Sequence, residues 1–148
     1  MDTQIRIREA SIDEVIKIGK KVLGAEKMKP REHFEERYKD KYHLITVAYL
    51  GDNPAGYAVW YDKYGDGSLY CWMTGVSPDF RRKGILKGLM AFGLAIARNK
   101  RYEKIKTKVR NSERGMLAYL TKYGFSITDF EERPNNEDSK ISFEKDLE

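Results

Sequence analysis

The sequence is poor in residues that bind metals or form disulfides, with one cysteine and two histidines among 148 residues. A single cysteine cannot form an internal disulfide, which fits a reducing cytoplasm, the location that we expect for the chain. A dedicated zinc site needs about four converging ligands, so no metal is expected. His33 and His43 are interpreted as ordinary polar residues. Cys71 has no histidine near it in sequence and is not expected to be a nucleophile.

The sequence also lacks long hydrophobic runs. No segment approaches the length of a membrane span, and the first residues, MDTQIRIREA, contain no signal-peptide core. A membrane is therefore not an expected partner. A hydrophobic content of 41% with 34% charged residues is typical of a soluble globular protein. The length predicts a single domain over residues 1–148, large enough to bury a substantial core.

The charge balance is moderately basic, with a formal net charge of +5 at pH 7. A positive protein attracts anions in general, whether nucleic acids or phosphate-bearing cofactors. The basic residues are scattered among acidic ones rather than grouped in a tail. Nucleic-acid binding rests only on net charge and exposed aromatic residues, so it stays an alternative and a nucleic acid is not the expected partner.

Hydrophobic periodicity in the first third of the chain predicts one strand and two helices. Isoleucines alternate with arginines around residues 5–8 and predict the strand. Ser11 stands three residues before Glu14, a capping box that predicts a helix over about 11–23. Pro30 begins a second, polar helix that extends over about 30–40.

The rest of the chain predicts a strand meander followed by alternating helices and strands. Ile85, Leu89, Phe92 and Ile96 share one face of the helix after the meander. Turn clusters at 51–56 and 63–68 separate the meander strands. The predicted strands lie at about 43–50, 57–62, 69–76, 103–110, 125–130 and 140–145, and the last helix at about 112–123. The fold class is therefore α/β, of the α+β type, in the order β-α-α-β-β-β-α-β-α-β-β.

The segment from Thr74 to Gly88 is the most informative part of the sequence. A strand ends, a basic turn follows with Arg81, Arg82 and Lys83, and Gly84 precedes a helix. Amides at a helix start are unpaired and lie at the positive end of the helix dipole. The segment therefore predicts a phosphate site. It has no Walker pattern, and it follows a meander rather than the strand of a dinucleotide fold.

Four glycines in and just after this segment are interpreted in three ways. Gly75 interrupts a strand pattern, where glycine often marks a bulge or a close backbone approach. Gly84 lies at the helix start and is interpreted as facing a ligand. Gly88 and Gly93 lie inside the helix and are interpreted as sites of tight helix–sheet packing.

With these residues, the segment resembles motif A of the GNAT superfamily of N-acetyltransferases. The family pattern is Arg/Gln-x-x-Gly-x-Gly/Ala after a strand and a Val-x-Pro loop. Residues 76–78, Arg81 and Gly84 match it, whereas Leu86 stands where the family usually has a small residue. The Leu86 amide can still face a phosphate, but its side chain must leave in another direction.

Two later stretches extend the resemblance over nearly the whole chain. Asn111 follows a predicted strand, where the family often has an asparagine. Residues 116–125, MLAYLTKYGF, resemble the closing helix of the family and the Gly-Phe start of the next strand. The resemblance identifies a superfamily and says nothing about the substrate.

The resemblance implies a GNAT-like fold. Its central sheet would be mixed, mostly antiparallel and splayed, with helices on its faces. The resemblance also implies that this sheet binds acetyl-CoA as co-substrate. Backbone groups near Gly75 and Val76 would face the acetyl and pantetheine portion, freed by a bulge at Gly75. Backbone amides would hold the pyrophosphate. The full set of expected cofactor-binding residues is Gly75, Val76, Arg81, Arg82, Lys83, Gly84, Ile85, Leu86, Lys87 and Asn111.

The reaction implied is direct attack of a neutral amine on the thioester, which requires a proton to leave the amine and a proton for the leaving thiolate. The family often uses a tyrosine four residues before the glycine of Gly-Phe, where this chain has Leu120. Tyr123, one helical turn further, is the expected catalytic residue, with Tyr119 as an alternative and packing roles open for both. The general base stays open between a water chain, Asp62 and Tyr70.

The expected acceptor is an amine of a small molecule or a protein, bound between about 24–36 and the loop over 131–138. The acidic residues of that loop either favour a cationic amine or form a solvated polar loop. They are Glu131, Glu132, Glu137 and Asp138. Leu86 and Leu120 keep a second hypothesis open, a CoA-binding regulatory module without catalysis. Edge strands near the C-terminus leave a homodimer open.

Overall fold

The computed structural model describes residues 4–148, except for the side chain of Leu23. Helices and strands follow the predicted order, which confirms the fold class. The strands are β1 (Ile5–Glu9), β2 (His43–Leu50), β3 (Asn53–Tyr61), β4 (Ser68–Val76), β5 (Lys104–Arg110), β6 (Ser126–Glu131) and β7 (Lys140–Asp146). The helices are α1 (Ile12–Leu23), α2 (Arg31–Arg37), α3 (Ile85–Asn99) and α4 (Arg114–Lys122), with single 3-10 turns at Pro78–Phe80 and Asn136–Asp138.

The strands form one seven-stranded sheet in the order β1-β2-β3-β4-β5-β7-β6. Each neighbouring pair is antiparallel except β4 and β5, which are parallel. Parallel strands need a long crossover between them, and α3 supplies it. The mixed, mostly antiparallel sheet is therefore confirmed, with its parallel pair near the middle.

The parallel pair is short, and its two strands then part. Ser68–Cys71 of β4 pair with Lys104–Thr107 of β5. Beyond this ladder β4 runs on to Val76 and β5 to Arg110 without pairing to each other. A wedge-shaped cleft therefore opens between the carboxyl ends of the two strands. We call it the splay cleft.

Two hydrophobic cores cover the two faces of the sheet. On one face α1 and α2 pack onto β2, β3 and β4, and Val15 and Phe34 are fully buried there. On the other face α3 and α4 pack against residues such as Ile105, and Leu89 and Leu120 are fully buried. Among the described residues, none of β5, β6 or β7 belongs to the first core. The α1/α2 side of these three strands is therefore not covered by a helix.

Helix α3 approaches the sheet closely at two glycines. A Cβ atom at Gly93 would come within 2.1 Å of the Trp60 ring, and one at Gly88 within 2.6 Å of the Ile7 Cδ1 atom. The packing interpretation of both glycines is confirmed. The glycines turn their own side of the helix toward the strands.

The buried face of α3 differs in part from the predicted one. Leu89 is buried as predicted, and Met90 and Leu94 complete the face. Phe92 and Ile96, which the spacing placed there, are only half-buried. The difference arises because α3 approaches the sheet with the side that carries the two glycines. The spacing rule considers only large apolar residues, so it does not predict that this side is buried.

The turn between β2 and β3 is shorter than the turn-forming residues 51–56 suggest. Asn53 already pairs with Leu50, which leaves Gly51 and Asp52 as the turn. Gly51 has a φ of 61°, a left-handed conformation suited to such a tight turn. Pro54 is tolerated in the strand because the ladder register shifts beside it.

Helix α2 ends at Arg37, before the predicted end at Asp40. Asp40 has a φ of 60°, a left-handed conformation through which a right-handed helix cannot continue. The short helix still buries Phe34 against the sheet. None of the helices in residues 4–148 is long and apolar enough to cross a membrane.

Candidate functional site

The amino end of α3 is shaped by two residues with left-handed backbone. Arg82 has a φ of 63° and Gly84 a φ of 86°. Gly84 is the residue before the first helical turn, and no side chain caps that turn. A Cβ at Gly84 would meet Ile5 Cδ1 at 3.6 Å, which is ordinary contact. Backbone conformation rather than lack of space therefore favours glycine here.

The first amides of α3 are available to a ligand. Within the described chain, the amides of residues 85–87 have no recorded backbone acceptor. Arg81, Arg82 and Lys83 are exposed beside them. Unpaired amides at the positive end of a fifteen-residue helix, surrounded by cations, form a site for an anion. The structure therefore brings the predicted phosphate-binding residues together.

Leu86 and Lys87, inside this set, point in different directions. Leu86 is half-buried and packs against the core beneath α3, so its side chain leaves the amide side free. Lys87 is exposed, and its Nζ atom lies 5.9 Å from the centre of the Tyr123 ring. The start of α3 and the end of α4 therefore lie side by side.

Gly75 lies in the half of β4 that has no β5 partner, directly opposite Tyr57 of β3. The bulge expected at Gly75 is wrong, because the register of the β3–β4 ladder shifts at Trp72 and is regular at Gly75. Glycine is needed for another reason. A Cβ at this position would come within 2.5 Å of the Tyr57 Cε1 atom. Val76, at the end of β4, is half-buried.

The hydroxyl of Tyr57 is fully buried beside Gly75 and has no hydrogen-bond partner within residues 4–148. Burial raises the pKa of Tyr57 to about 12, so the phenol stays protonated and remains a donor. Leaving a buried polar group unpaired costs about 1–3 kcal/mol. An unsatisfied donor therefore lies next to the part of β4 where the neighbouring strand is missing.

Asn111 follows β5 and ties it to the loop before β7. Its backbone N–H donates to the Ser139 carbonyl at 2.8 Å, and its side-chain amide donates to the Asn136 carbonyl at 3.2 Å. The side-chain oxygen keeps its acceptor capacity. Asn111 thus fixes the rim of the splay cleft on the β5 side.

The tyrosines of α4 differ in burial. Tyr119 is half-buried against the second core, and burial raises its pKa to about 12, with smaller contributions from Tyr123 and Cys71. Tyr119 packs against the core that contains Cys71, the last residue of β4 that pairs with β5. Tyr123 follows the helix, and its ring stacks on Tyr119 with centres 4.5 Å apart. Leu120 is fully buried and apolar.

The base candidates lie away from the open end of the cleft. Asp62 accepts a hydrogen bond from the Tyr102 hydroxyl at 3.0 Å and another from the Gly65 amide at 3.1 Å, at the opposite end of the sheet. Tyr70 is buried, and burial raises its pKa well above the ordinary value. Neither arrangement suits proton removal from a ligand in the cleft, so a water chain is left from the three candidates.

Cys71 is buried, and burial raises the pKa of its thiol to about 12. The Thr107 hydroxyl donates to the Cys71 carbonyl across the end of the β4–β5 ladder at 2.8 Å. A thiol with so high a pKa is not a nucleophile near neutral pH. Residues 4–148 also contain no group of three or more histidine, cysteine, aspartate or glutamate side chains arranged to hold a metal.

Helix α2 covers the splay cleft on the side away from α3 through contacts with Trp72. The rings of His33 and Phe34 lie 5.7 Å and 5.3 Å from the Trp72 ring, centre to centre, and the Arg37 guanidinium lies 5.1 Å from it. Burial, then the charges of Arg37 and Lys29, lower the pKa of His33. This aromatic wall coincides with the predicted acceptor region around 24–36.

The loop before β7 uses part of its charge internally. Glu131 pairs with Arg133, which lowers the pKa of that carboxyl, and Glu137 pairs with Arg114 at 3.2 Å. Ser139 is fully buried and accepts a hydrogen bond from the Arg133 amide. Two of the four acidic residues predicted to attract a cationic amine therefore already have cationic partners.

An open pocket of about 250 Å³ lies on the uncovered face of β5, β7 and β6. Its lining includes Tyr64, Tyr70, Lys106, Lys108 and Asp129. Tyr57 and Trp72 complete the surroundings of the cleft. The sequence predicts only that the aromatic residues of the meander face the core, the acceptor cleft or a dimer surface, and it singles out neither residue. The pairing of Tyr57 with Gly75 depends on strand register, which a single sequence does not specify.

Comparison with known proteins gives a result that agrees with this fold. Residues 12–125 match the model of the acetyltransferase (GNAT) family. The fold is similar to that of the ribosomal-protein-S18-alanine N-acetyltransferase from Escherichia coli, with a TM-score of 0.80 and 12% identity over 97% of this chain and 94% of that one. None of the curated protein sequences is significantly similar to this chain.

Two further similar structures contain ligands. One is a Bacillus subtilis acetyltransferase in complex with CoA, with a TM-score of 0.73 and 18% identity over 98% of this chain and 99% of that one. The other is a GNAT family acetyltransferase from Elizabethkingia anophelis with acetyl-CoA bound, with a TM-score of 0.73 and 19% identity over 99% and 100%. At such identities the similarity shows a shared fold.

Proposed function

Because the chain belongs to the GNAT acetyltransferase family, we propose that it transfers an acetyl group from acetyl-CoA to an amine of a small molecule or protein. The observation that carries the proposal is the splay cleft, which opens beside the anion-binding start of α3. A thioester ligand with a pyrophosphate needs both features, an open strand edge and a row of free amides.

The residues present fit acetyl-CoA. The amides of residues 82–87, with the side chains of Arg81, Arg82 and Lys83, would hold the pyrophosphate. Gly75, Val76 and Asn111 would line the part of the cleft where β4 and β5 have separated. The partnerless Tyr57 hydroxyl supports the fit independently, since a buried donor without a partner lies beside the same stretch of β4.

Acetyl-CoA supplies an activated acyl group on a good leaving thiolate. The protein has to position the amine, let its proton leave and protonate the thiolate. The sequence predicts Tyr123 as the catalytic residue with Tyr119 as the alternative, and the packing of Tyr119 against the core that contains Cys71 supports including it. Both belong to one stacked pair, so we propose that this pair supplies the proton.

Isothermal titration with acetyl-CoA and with CoA tests cofactor binding. We expect one site per chain. Absence of binding at high micromolar ligand would contradict the proposal. A panel of amines and peptides, followed by CoA thiol release, then tests transfer to nitrogen.

A second candidate function is a CoA-binding regulatory module without catalysis. It is favoured by the fully buried Leu120, which replaces the family tyrosine, and by the absence of a carboxylate in residues 69–76. Cofactor binding without thiol release on any amine would support this alternative. Turnover would exclude it.

The remaining expectations belong to the same proposal: one acetyltransferase-like domain over 1–148, a cytoplasmic location and no bound metal. A homodimer stays a prediction. The edge strand β6, on which Ile127 and Phe130 are exposed, is where it would be sought. Light scattering on the purified chain measures the oligomeric state directly.

A further inference from the structure

A row of cations lies on the uncovered face of β5. Residues 105, 107 and 109 face the second core and are buried, so Lys104, Lys106, Lys108 and Arg110 share the opposite face. This is the side from which α2 approaches and to which the 250 Å³ pocket belongs, since Lys106 and Lys108 line it. The row therefore leads along the pocket toward the mouth of the splay cleft.

Only the first half of this row is neutralised. Lys104 pairs with Glu144 at 3.0 Å, and Lys106 pairs with Asp66 at 2.7 Å. Within the described residues, Lys108 and Arg110 have no carboxylate partner. The change comes directly after Thr107, the residue at which β5 loses its β4 neighbour. The ion pairs thus end where the splay cleft begins.

Two further lysines lie near this row, Lys140 beside its unpaired half and Lys63 over Tyr70, which pairs with Lys106 inside the ladder. Lys140 lies opposite Arg110 in the β5–β7 ladder, on the same face. Lys63 lies over the Tyr70 ring at 4.6 Å and has no carboxylate partner in residues 4–148. The pKa of Lys63 is lowered, first by burial and then by the positive charges of Lys108, Arg37, Lys140 and Lys41. Like charges thus lie near one another here, and within the described residues Lys63, Lys108 and Lys140 form no ion pair.

The carboxylates near this cluster are few. Glu144 of the pocket lining already pairs with Lys104. Glu131 lies opposite Lys140 in the β6–β7 ladder and pairs with Arg133, and its pKa is lowered first by Arg133 and then by the charges of Lys108 and Lys140. Asp129 lines the pocket without an ion pair in the described chain. It is outnumbered by Lys63, Lys108, Arg110 and Lys140. Bringing cations together in a half-buried site is unfavourable unless a bound anion compensates the charge.

We propose that the acceptor carries an anionic group, a carboxylate or a phosphate, which binds against Lys63, Lys108 and Lys140 while its amine reaches the splay cleft. The inference rests on the proposed acetyl transfer and narrows its substrate class. It reverses the sign expected from the acidic loop at 131–138, whose charges are partly consumed by Arg133 and Arg114. The anion comes from a small acidic amine or from acidic residues near a peptide amino terminus.

Matched probes separate charge from shape. O-phosphoethanolamine and ethanolamine differ in one phosphate, and the peptides Ala-Glu-Asp-amide and Ala-Gln-Asn-amide differ in two carboxylates. Each is titrated into the CoA-loaded protein and followed by tryptophan fluorescence. Trp60 is fully buried whereas Trp72 is half-buried beside α2, so loss of the change in Trp72→Phe assigns the signal to Trp72. We expect the acidic member of at least one pair to bind at least tenfold more tightly, and the pair concerned identifies the source of the anion.

Variants then connect the preference to the cluster. Lys63→Gln combined with Lys108→Gln should reduce the acidic-to-neutral ratio in affinity and in kcat/KM to near one, without changing the dissociation constant of CoA. Lys20→Gln, an exposed lysine on α1, is the matched control and should leave the ratio unchanged. Raising the ionic strength should reduce the ratio as well, because salt screens exposed charges.

The outcomes distinguish the two proposals. Equal binding of acidic and neutral probes, or a ratio unaffected by the double variant, overturns the anionic acceptor even where neutral amines are acetylated. Anion-dependent binding that the double variant abolishes, without thiol release from acetyl-CoA on any probe, keeps the anion site and overturns the transferase function.

Discussion

Gly84 holds a backbone conformation that other residues adopt only at a cost, and it does so where the phosphate is proposed to bind. We expect Gly84→Glu to abolish CoA binding, because the new side chain places a negative charge beside the free amides. Titration calorimetry measures the loss. Gly65→Glu is the matched control, since Gly65 also has a positive φ, 61°, and has nothing within 4 Å of a Cβ. Unchanged CoA affinity in Gly84→Glu would show that the site lies elsewhere.

The unpaired Tyr57 hydroxyl leads to a prediction about the stability of the unliganded protein. Because it has no partner to lose, we expect Tyr57→Phe to leave the free energy of unfolding unchanged or to raise it by up to about 1 kcal/mol. Tyr49→Phe is the contrast, since the Tyr49 hydroxyl donates to Glu14 at 2.6 Å and its removal should cost about 1 kcal/mol. Urea unfolding of both variants measures the difference. A marked destabilisation by Tyr57→Phe would mean that the hydroxyl is paired in solution.

The stacked tyrosines give a kinetic prediction. We expect Tyr119→Phe to lower kcat by about 10²-fold or more, the contribution typical of a positioned proton donor. Tyr123→Phe should have a smaller effect, because its ring lies toward Lys87 at the end of α3 where the phosphate is proposed to bind. The KM for acetyl-CoA should change little in Tyr119→Phe. The reverse order of effects would return the role to Tyr123, and equal small effects would remove both.

At the scale of elements, the contact between α3 and the sheet rests on glycines that differ in tolerance. We expect Gly93→Ala to cost about 1–3 kcal/mol, since its Cβ would meet the rigid Trp60 ring. Gly88→Ala should cost less, because the nearest atom is the mobile end of Ile7. Gly115→Ala, in open space on α4, should stabilise the protein by about 0.5–1 kcal/mol. Denaturant unfolding checks the ranking, which an equal cost at Gly88 and Gly93 would contradict.

The order of elements and the uncapped helix start beside the basic turn could be predicted because both depend on local patterns. Alternation, capping residues and the basic turn are properties of neighbouring residues. The position of the bulge could not, since Trp72 or Gly75 can be the extra residue until the register with β3 is known. The buried face of α3 was only partly predicted for a related reason, because Gly93 is buried by a distant Trp60.

At the same scale, sequence patterns give the least information about the part of the site where the acceptor is proposed to bind. The acidic loop at 131–138 stands out in the chain, whereas the cations that matter are separated along it, from Lys63 to Lys140. Strand pairing brings the members of this cluster together, and ion pairing decides which of them stay available. Neither effect can be derived from charge counts.

At the scale of the whole molecule, the sheet consists of two parts joined by one short ladder, Ser68–Cys71 with Lys104–Thr107. A ligand in the splay cleft would contact both parts. CoA at about 100 times its dissociation constant should therefore stabilise the protein by about 2.7 kcal/mol, or roughly 5–10 °C in Tm for a chain of this size. Differential scanning calorimetry tests this, with Gly84→Glu as the variant in which the shift should vanish. A shift retained in that variant would contradict the assignment of the site.

The short ladder also bears on how the chain folds. Strands β2, β3 and β4 are consecutive in the chain and pair as hairpins, so the contacts between them close small loops. The β4–β5 ladder, by contrast, requires the chain to close a loop over residues 77–103, and such distant contacts form more slowly. The binding cleft exists only when the two parts of the sheet have docked, because β4 supplies one of its sides and β5 the other. A chain that has formed the β2–β4 meander but not this ladder therefore lacks the complete binding site.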